Sequence, residues 1–132
     1  MSSKTFQASK SELKSMRSFV KRFLTENKIN ITHHNSIILA VGEITSNILE
    51  HGYNFKENDK IKVDISFNNN EIKLRFFDNG QLVDIEKIKS RELNDIKPGG
   101  LGIFFINEIF DDIHWIKGDP DWNNILEIKK RL

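Results

Sequence analysis

The sequence contains no cysteine, which excludes a disulfide framework and any thiolate nucleophile or thiolate metal ligand. A chain held together by burial alone suits a reducing compartment, so a cytoplasmic location is expected. Two prolines and seven glycines among 132 residues leave no low-complexity tract and no interdomain linker. Charge of one sign is not in excess: 20 Lys plus Arg stand against 19 Asp plus Glu, for a net +1. Such balance supplies no global attraction to nucleic acid or to an anionic membrane, and no direct nucleic-acid partner is expected. No stretch approaches the roughly 20 apolar residues of a membrane span, and MSSKTFQASKSELK at the start lacks the apolar run of a signal peptide.

The residues present describe a globular domain, 38% hydrophobic and 30% charged. A single domain over residues 1–132 is expected. KTFQAS reads as a short strand. Leu13, Met16, Val20, Phe23 and Leu24 then recur at helical spacing, with Ser9 or Ser11 as candidate N-caps and Lys14, Arg17, Lys21 and Arg22 as a solvated face. A second helix starts near Thr32 or Asn35 and stops at Gly52. KIKVDISFNN and EIKLRFF alternate apolar and polar residues, and the asparagines between them suit a hairpin. QLVDIEKIKSRELNDIKP reads as a short helix plus a mobile segment ending at Pro98. GGLGIFFINEIF opens on glycines and continues as an apolar helix, and HWIKG and ILEIKKRL close the chain as two strands joined by a turn at DPDWNN. The order predicts an α/β two-layer sandwich: a mixed, mostly antiparallel sheet with helices on one face.

The second helix carries an unusual strip. Glu43, Asn47 and His51 follow one another at steps of four, beside an apolar stripe of Ile37, Val41, Ile44 and Ile48. The stripe faces a core, so the polar strip lies along the edge of a cavity, where an unpaired carboxylate costs free energy. A glutamate there can serve as a general base, and an Asn oxygen is a hard ligand suited to Mg²⁺. Asp78-Asn79-Gly80 follows a strand; its carboxylate could accept from an exocyclic amine such as that of adenine, and its glycine would allow a close backbone approach or a positive φ. The same tripeptide is also a common turn. Gly99-Gly100-Leu101-Gly102 precedes a helix, whose free N–H groups and dipole favour a phosphate. His33, His34, His51 and His114 have no zinc-ligand spacing. Asp111-Asp112 reads as a helix end, and Phe76, Phe77, Phe104, Phe105 and Phe110 as core.

In this order and at these separations the three motifs resemble those of the GHKL, or Bergerat-fold, ATPases, and in particular the small anti-sigma factor serine/threonine kinases. EITSNILEH is similar to the family's N box, DNGQLVD to its G1 box, PGGLGIFFINEIFDD to its G2 box, and NNILEIKKRL to its last strand. The resemblance implies ATP and Mg²⁺ as cofactors. It implies Glu43 as the base activating a substrate hydroxyl, Asn47 as the Mg²⁺ ligand, and Asp78 with Gly80 at the adenine. Gly99, Gly100, Leu101 and Gly102 would lie at the phosphates, with Lys97 and Arg91 as candidate basic residues of the lid. It further implies phosphorylation of a STAS-type anti-anti-sigma protein in partner switching, a sigma factor as the sequestered partner, and a homodimer. One departure stands out: Leu82 occupies the position of the second glycine in the D-x-G-x-G pattern of larger members, which the small kinase branch often lacks. A non-catalytic regulator-binding module of the same fold is the alternative. A histidine-kinase catalytic domain fits less well, since no phosphoacceptor helix pair precedes the motifs.

Overall fold

Alternating apolar positions build the sheet. The computed structural model describes residues 1–53, 59–82 and 106–132. Its strands are β1 (Ser2–Gln7), β2 (Lys60–Asn68), β3 (Glu71–Asp78), β4 (Asp112–Lys117) and β5 (Asn124–Arg131). They form one sheet in the order β1-β2-β3-β5-β4. All four pairings are antiparallel, so among the described residues the sheet is not mixed. Asn69 and Asn70 link β2 to β3 with φ of 51° and 60°, the left-handed pair that a two-residue hairpin requires and asparagine tolerates.

Because strand side chains alternate, Ile72, Leu74, Phe76 and Asp78 of β3 share one face. Ile61, Val63 and Ile65 of β2 and Leu126 and Ile128 of β5 register beside them. Helices α1 (Leu13–Glu26) and α2 (His34–Asn47) close this face. Met16, Val20 and Leu24 of α1 and Ile37, Val41 and Ile44 of α2 join the strand residues in one buried cluster, as their helical spacing predicts. The opposite face of the sheet has its own small apolar island. Phe77 is buried there rather than in the main core; its ring centroid lies 6.0 Å from that of Trp122, with Lys62 Nζ 4.1 Å above it. Phe76 and Phe110 are core as expected, whereas Phe104 and Phe105 lie outside the described residues.

The helix ends depart from the simplest reading of the sequence. Neither Ser9 nor Ser11 caps α1 with its side chain; a 3-10 turn over Lys10–Glu12 leads into the helix, and the two hydroxyls bond each other at 3.0 Å. Asn30, and not Thr32 or Asn35, caps the approach to α2. Its Oδ1 accepts from the Thr32 N–H and from Thr32 Oγ1, both at 2.9 Å, at the start of a 3-10 turn over Ile31–His33. Asparagine reaches the backbone two residues on, which makes it the better local acceptor. At the other end of α1, Lys28 N–H donates to Thr25 O at 3.1 Å and Ile29 N–H to Leu24 O at 3.0 Å. These are the paired bonds of a Schellman stop, with Lys28 at φ 55° where glycine is usual.

Candidate functional site

Helix α2 ends in a wider coil. Residues Ile48–Gly52 form a π-helical turn, and the Tyr53 N–H reaches back to Ile48 O at 3.1 Å. The i→i+5 spacing breaks the periodicity that placed Glu43, Asn47 and His51 on one strip. Glu43 and Asn47 remain half-buried on α2, but His51 is exposed and stands 3.8 Å from Glu50. The strip therefore ends at Asn47. Glu43 also borders an open groove of about 520 Å³ on the outer side of the two helices, with Arg17, Lys21, His34 and Ser46 among its other walls. Asn47 and Asp78 do not line that groove.

The π turn delivers Gly52 and Tyr53 to the end of β3. A Cβ on Gly80 would lie 2.7 Å from both the carbonyl carbon and the oxygen of Gly52. The φ of Gly80 is outside the left-handed region, so close backbone approach, and not a positive φ, is what calls for glycine here. Gln81 N–H completes the contact by donating to Gly52 O at 2.8 Å. The Tyr53 hydroxyl accepts from the Asn79 N–H at 2.5 Å and donates to Lys60 O at 2.8 Å. Burial pushes this phenol above its ordinary range; the Asn79 N–H opposes that, while Asp59 and Asp78 add to it.

The third support comes from the chain's last hairpin. Asn79 donates through Nδ2 to Asp121 O at 3.0 Å and accepts at Oδ1 from the Asn123 N–H at 2.8 Å. Asn124, in register with Asp78 across β3 and β5, donates through Nδ2 to Asp78 Oδ1 at 2.9 Å and to Gln81 O at 3.0 Å. Gly80 N–H donates to the same Asp78 Oδ1 at 3.0 Å. Both hydrogen bonds of Asp78 among the described residues thus fall on Oδ1. Burial raises the Asp78 carboxyl above its ordinary value, with Asp59 adding to the rise and the Asn124 and Gly80 donors opposing it. The result is a buried carboxylate at the inner edge of the sheet, held by three stretches of chain and with one oxygen unused by those donors.

The structure therefore brings Asp78 and Gly80 together with the end of the helix that carries Glu43 and Asn47. Gly99, Gly100, Leu101 and Gly102 lie outside the described residues, as do Lys97 and Arg91. Leu82 is exposed. Tyr53, Asn123 and Asn124 are site residues that sequence reasoning missed. A signal existed for Asn124: it stands two residues before the inward-facing Leu126, as Asp78 stands two after Phe76, so strand alternation alone places both on the same face. None was available for Tyr53, whose role depends on a π turn. Among the described residues there is no group of three or more His, Cys, Asp or Glu side chains able to hold a metal, and no helix long and apolar enough to cross a membrane.

Comparison with known proteins gives this arrangement a context. The family described as histidine kinase-like ATPase domain matches residues 6–130. The serine-protein kinase RsbW of Oceanobacillus iheyensis is 29% identical over 83 residues, covering 57% of this chain and 52% of that protein. An anti-sigma F factor of Clostridium botulinum is 27% identical over 117 residues, covering 86% of this chain and 81% of the relative. The chain thus spans about half the length of the first of these and most of the second. Among solved structures, the SiaB–SiaC complex from Pseudomonas aeruginosa aligns with TM-score 0.66 at 16% identity, over 100% of this chain and 90% of the other. The RsbU and RsbW domains of Rv1364c from Mycobacterium tuberculosis align with TM-score 0.65 at 14% identity, over 100% of this chain and 33% of that one. At such identities the structural likeness establishes the fold.

Proposed function

Since the chain belongs to the histidine kinase-like ATPase domain family, we propose that it is an ATP-dependent serine/threonine kinase that acts as an anti-sigma regulator through partner switching. The observation that carries the ATP reading is Asp78: a buried carboxylate with Oδ1 occupied by its own chain and Oδ2 unused by those donors. Such a group suits an exocyclic amine donor such as that of adenine. The tight seat of Gly80 on Gly52 fits a loop built to hold that carboxylate in one place.

ATP supplies the phosphoryl group, and Mg²⁺ would screen its charge, held by Asn47 with few other protein ligands, as is usual for this ion. Glu43, one helical turn before Asn47 on α2, would take the proton from a substrate hydroxyl. Its position at the edge of the outer groove supports a hydroxyl presented from outside by another protein. Gly99, Gly100, Leu101 and Gly102 would enclose the phosphates. The substrate proposed is a STAS-type anti-anti-sigma protein and the sequestered partner a sigma factor, with a homodimer as the assembly. The names of the kinase and anti-sigma relatives favour this over the alternative of a non-catalytic regulator-binding module.

The deciding experiment is calorimetric titration with ATP, with and without Mg²⁺, on the wild-type chain and on Glu43→Ala. Binding that strengthens with Mg²⁺ in both proteins, with phosphoryl transfer to the partner lost only in the variant, is the expected outcome. Transfer that survives in Glu43→Ala removes the base assignment. No ATP binding in either condition leaves the non-catalytic module.

A further inference from the structure

We propose that Asn124 is a positioning residue for base recognition: by filling Oδ1 of Asp78 it fixes the carboxylate plane and reserves Oδ2 for the amine of the bound adenine. This rests on the ATP reading above and assigns a role that none of the motifs carries. Asn124 is itself buried, 4% exposed, at the first position of β5. Its two Nδ2 donor contacts are made at once, one to Asp78 Oδ1 and one to the Gln81 carbonyl. An amide NH₂ has two protons, and the Gln81 contact directs the other one at Asp78. Gln81 is in turn fixed by its own N–H to Gly52 O. Rotation of the Asp78 carboxylate would therefore break the Asn124 and Gly80 bonds together.

The same contact bears on charge. Burial disfavours the ionised carboxylate, and Asp59 is a second negative group acting on it. Among the described residues Tyr53 also interacts with it, and its hydroxyl is neutral in the ordinary pH range. None of the ion pairs among the described residues includes Asp78. Among the described residues, then, the anionic form depends on neutral donors, and there Asn124 is the side chain that supplies one. A residue that only packed the hairpin would leave this titration unchanged.

The test is the affinity for Mg-ATP as a function of pH, by calorimetry, for the wild-type chain and for Asn124→Ala. Ionised Asp78 is the acceptor, so affinity falls as pH drops through its folded pKa. Losing a hydrogen bond worth about one pKa unit moves that acid limb up by about one pH unit. The variant should bind roughly tenfold more weakly within the limb and only about threefold more weakly near pH 9. Protonation of ATP itself is common to both proteins, so the displacement between the two profiles belongs to the protein. Parallel profiles, with a uniform loss or none, overturn the proposal. Should Asn124→Ala not fold, Asn124→Leu keeps about the same volume and removes the donor, and its limb should move in the same direction; an unmoved limb overturns the proposal equally. Absence of ATP binding by the wild-type chain at every pH overturns the ATP reading and this proposal with it, a result distinct from parallel profiles.

Discussion

The Cα hydrogens of Gly80 leave no room for a methyl group, because the neighbouring atoms at 2.7 Å belong to the Gly52 backbone and not to a side chain that could swing away. Gly80→Ala should therefore destabilise the fold by about 1–3 kcal/mol, the usual cost of overpacking, and weaken ATP binding at the same time. Thermal unfolding and calorimetry on one preparation check both effects. The coupling is expected because Gly80 N–H also holds Asp78 Oδ1. At this scale the sequence was legible for residues whose job follows from their own chemistry. Asp78 read as an acceptor or part of a plain turn, and Gly80 as a close backbone approach or a positive φ, of which the structure shows the close approach. Asn124 and Tyr53 did not, because their roles lie in what they fix: a donor 46 residues from the carboxylate it fills, and a phenol 26 residues from the amide it receives.

Periodicity carried most of the elements. The strands, both main helices and the Asn-Asn hairpin follow from alternation, from helical spacing and from left-handed tolerance. The ends were less readable. The caps are chosen by local competition among Ser9, Ser11, Asn30 and Thr32, and the π turn after Asn47 has no simple pattern in sequence. That turn moves His51 out of the strip it would occupy on a regular helix and brings Gly52 and Tyr53 to the site instead. The stop of α1 offers a clean test of element-level strain. Lys28 holds φ 55° with its backbone already in a complete Schellman arrangement, so Lys28→Gly should stabilise the protein by about 0.5–1 kcal/mol, relief of left-handed strain exceeding the added freedom of the unfolded chain. Denaturant melts of the two proteins measure it; a loss of stability would mean that the lysine side chain contributes more than its backbone costs.

For the whole molecule, near-neutral charge hides strong local pairing on the open sheet face. Glu127 is buried there, which alone would raise its pKa; Arg75, whose Nε lies 2.6 Å from Oε2, outweighs burial together with Lys129 and Lys73 and holds the carboxyl below its ordinary value. A depressed carboxyl adds stability that is present above its unfolded pKa and is lost as pH falls through the folded one. Melting temperature should therefore drop on acidification below the ordinary carboxylate value of 4.5, and Glu127→Gln should flatten that drop while lowering stability at pH 7 by about 1–2 kcal/mol, toward the low end for a charged hydrogen bond because Arg75 is partly solvated. A melting series from neutral to acid pH on both proteins decides it. The two-layer architecture was legible because each layer announces its own period, whereas the strand order β1-β2-β3-β5-β4 is a long-range choice that no short window contains.

That strand order sets when the carboxylate site can come into being. The β2–β3 and β4–β5 hairpins close over short stretches of chain, but Asp78 meets Asn124 only after β3 and β5 have paired across 46 residues, and such non-local pairings form slowly. Neither hairpin alone can join Asn124 to Asp78, so a nascent or partly opened chain lacks the finished carboxylate site. On the proposed reading, a nucleotide bound at this site would favour the paired sheet as a whole and shift the global unfolding equilibrium.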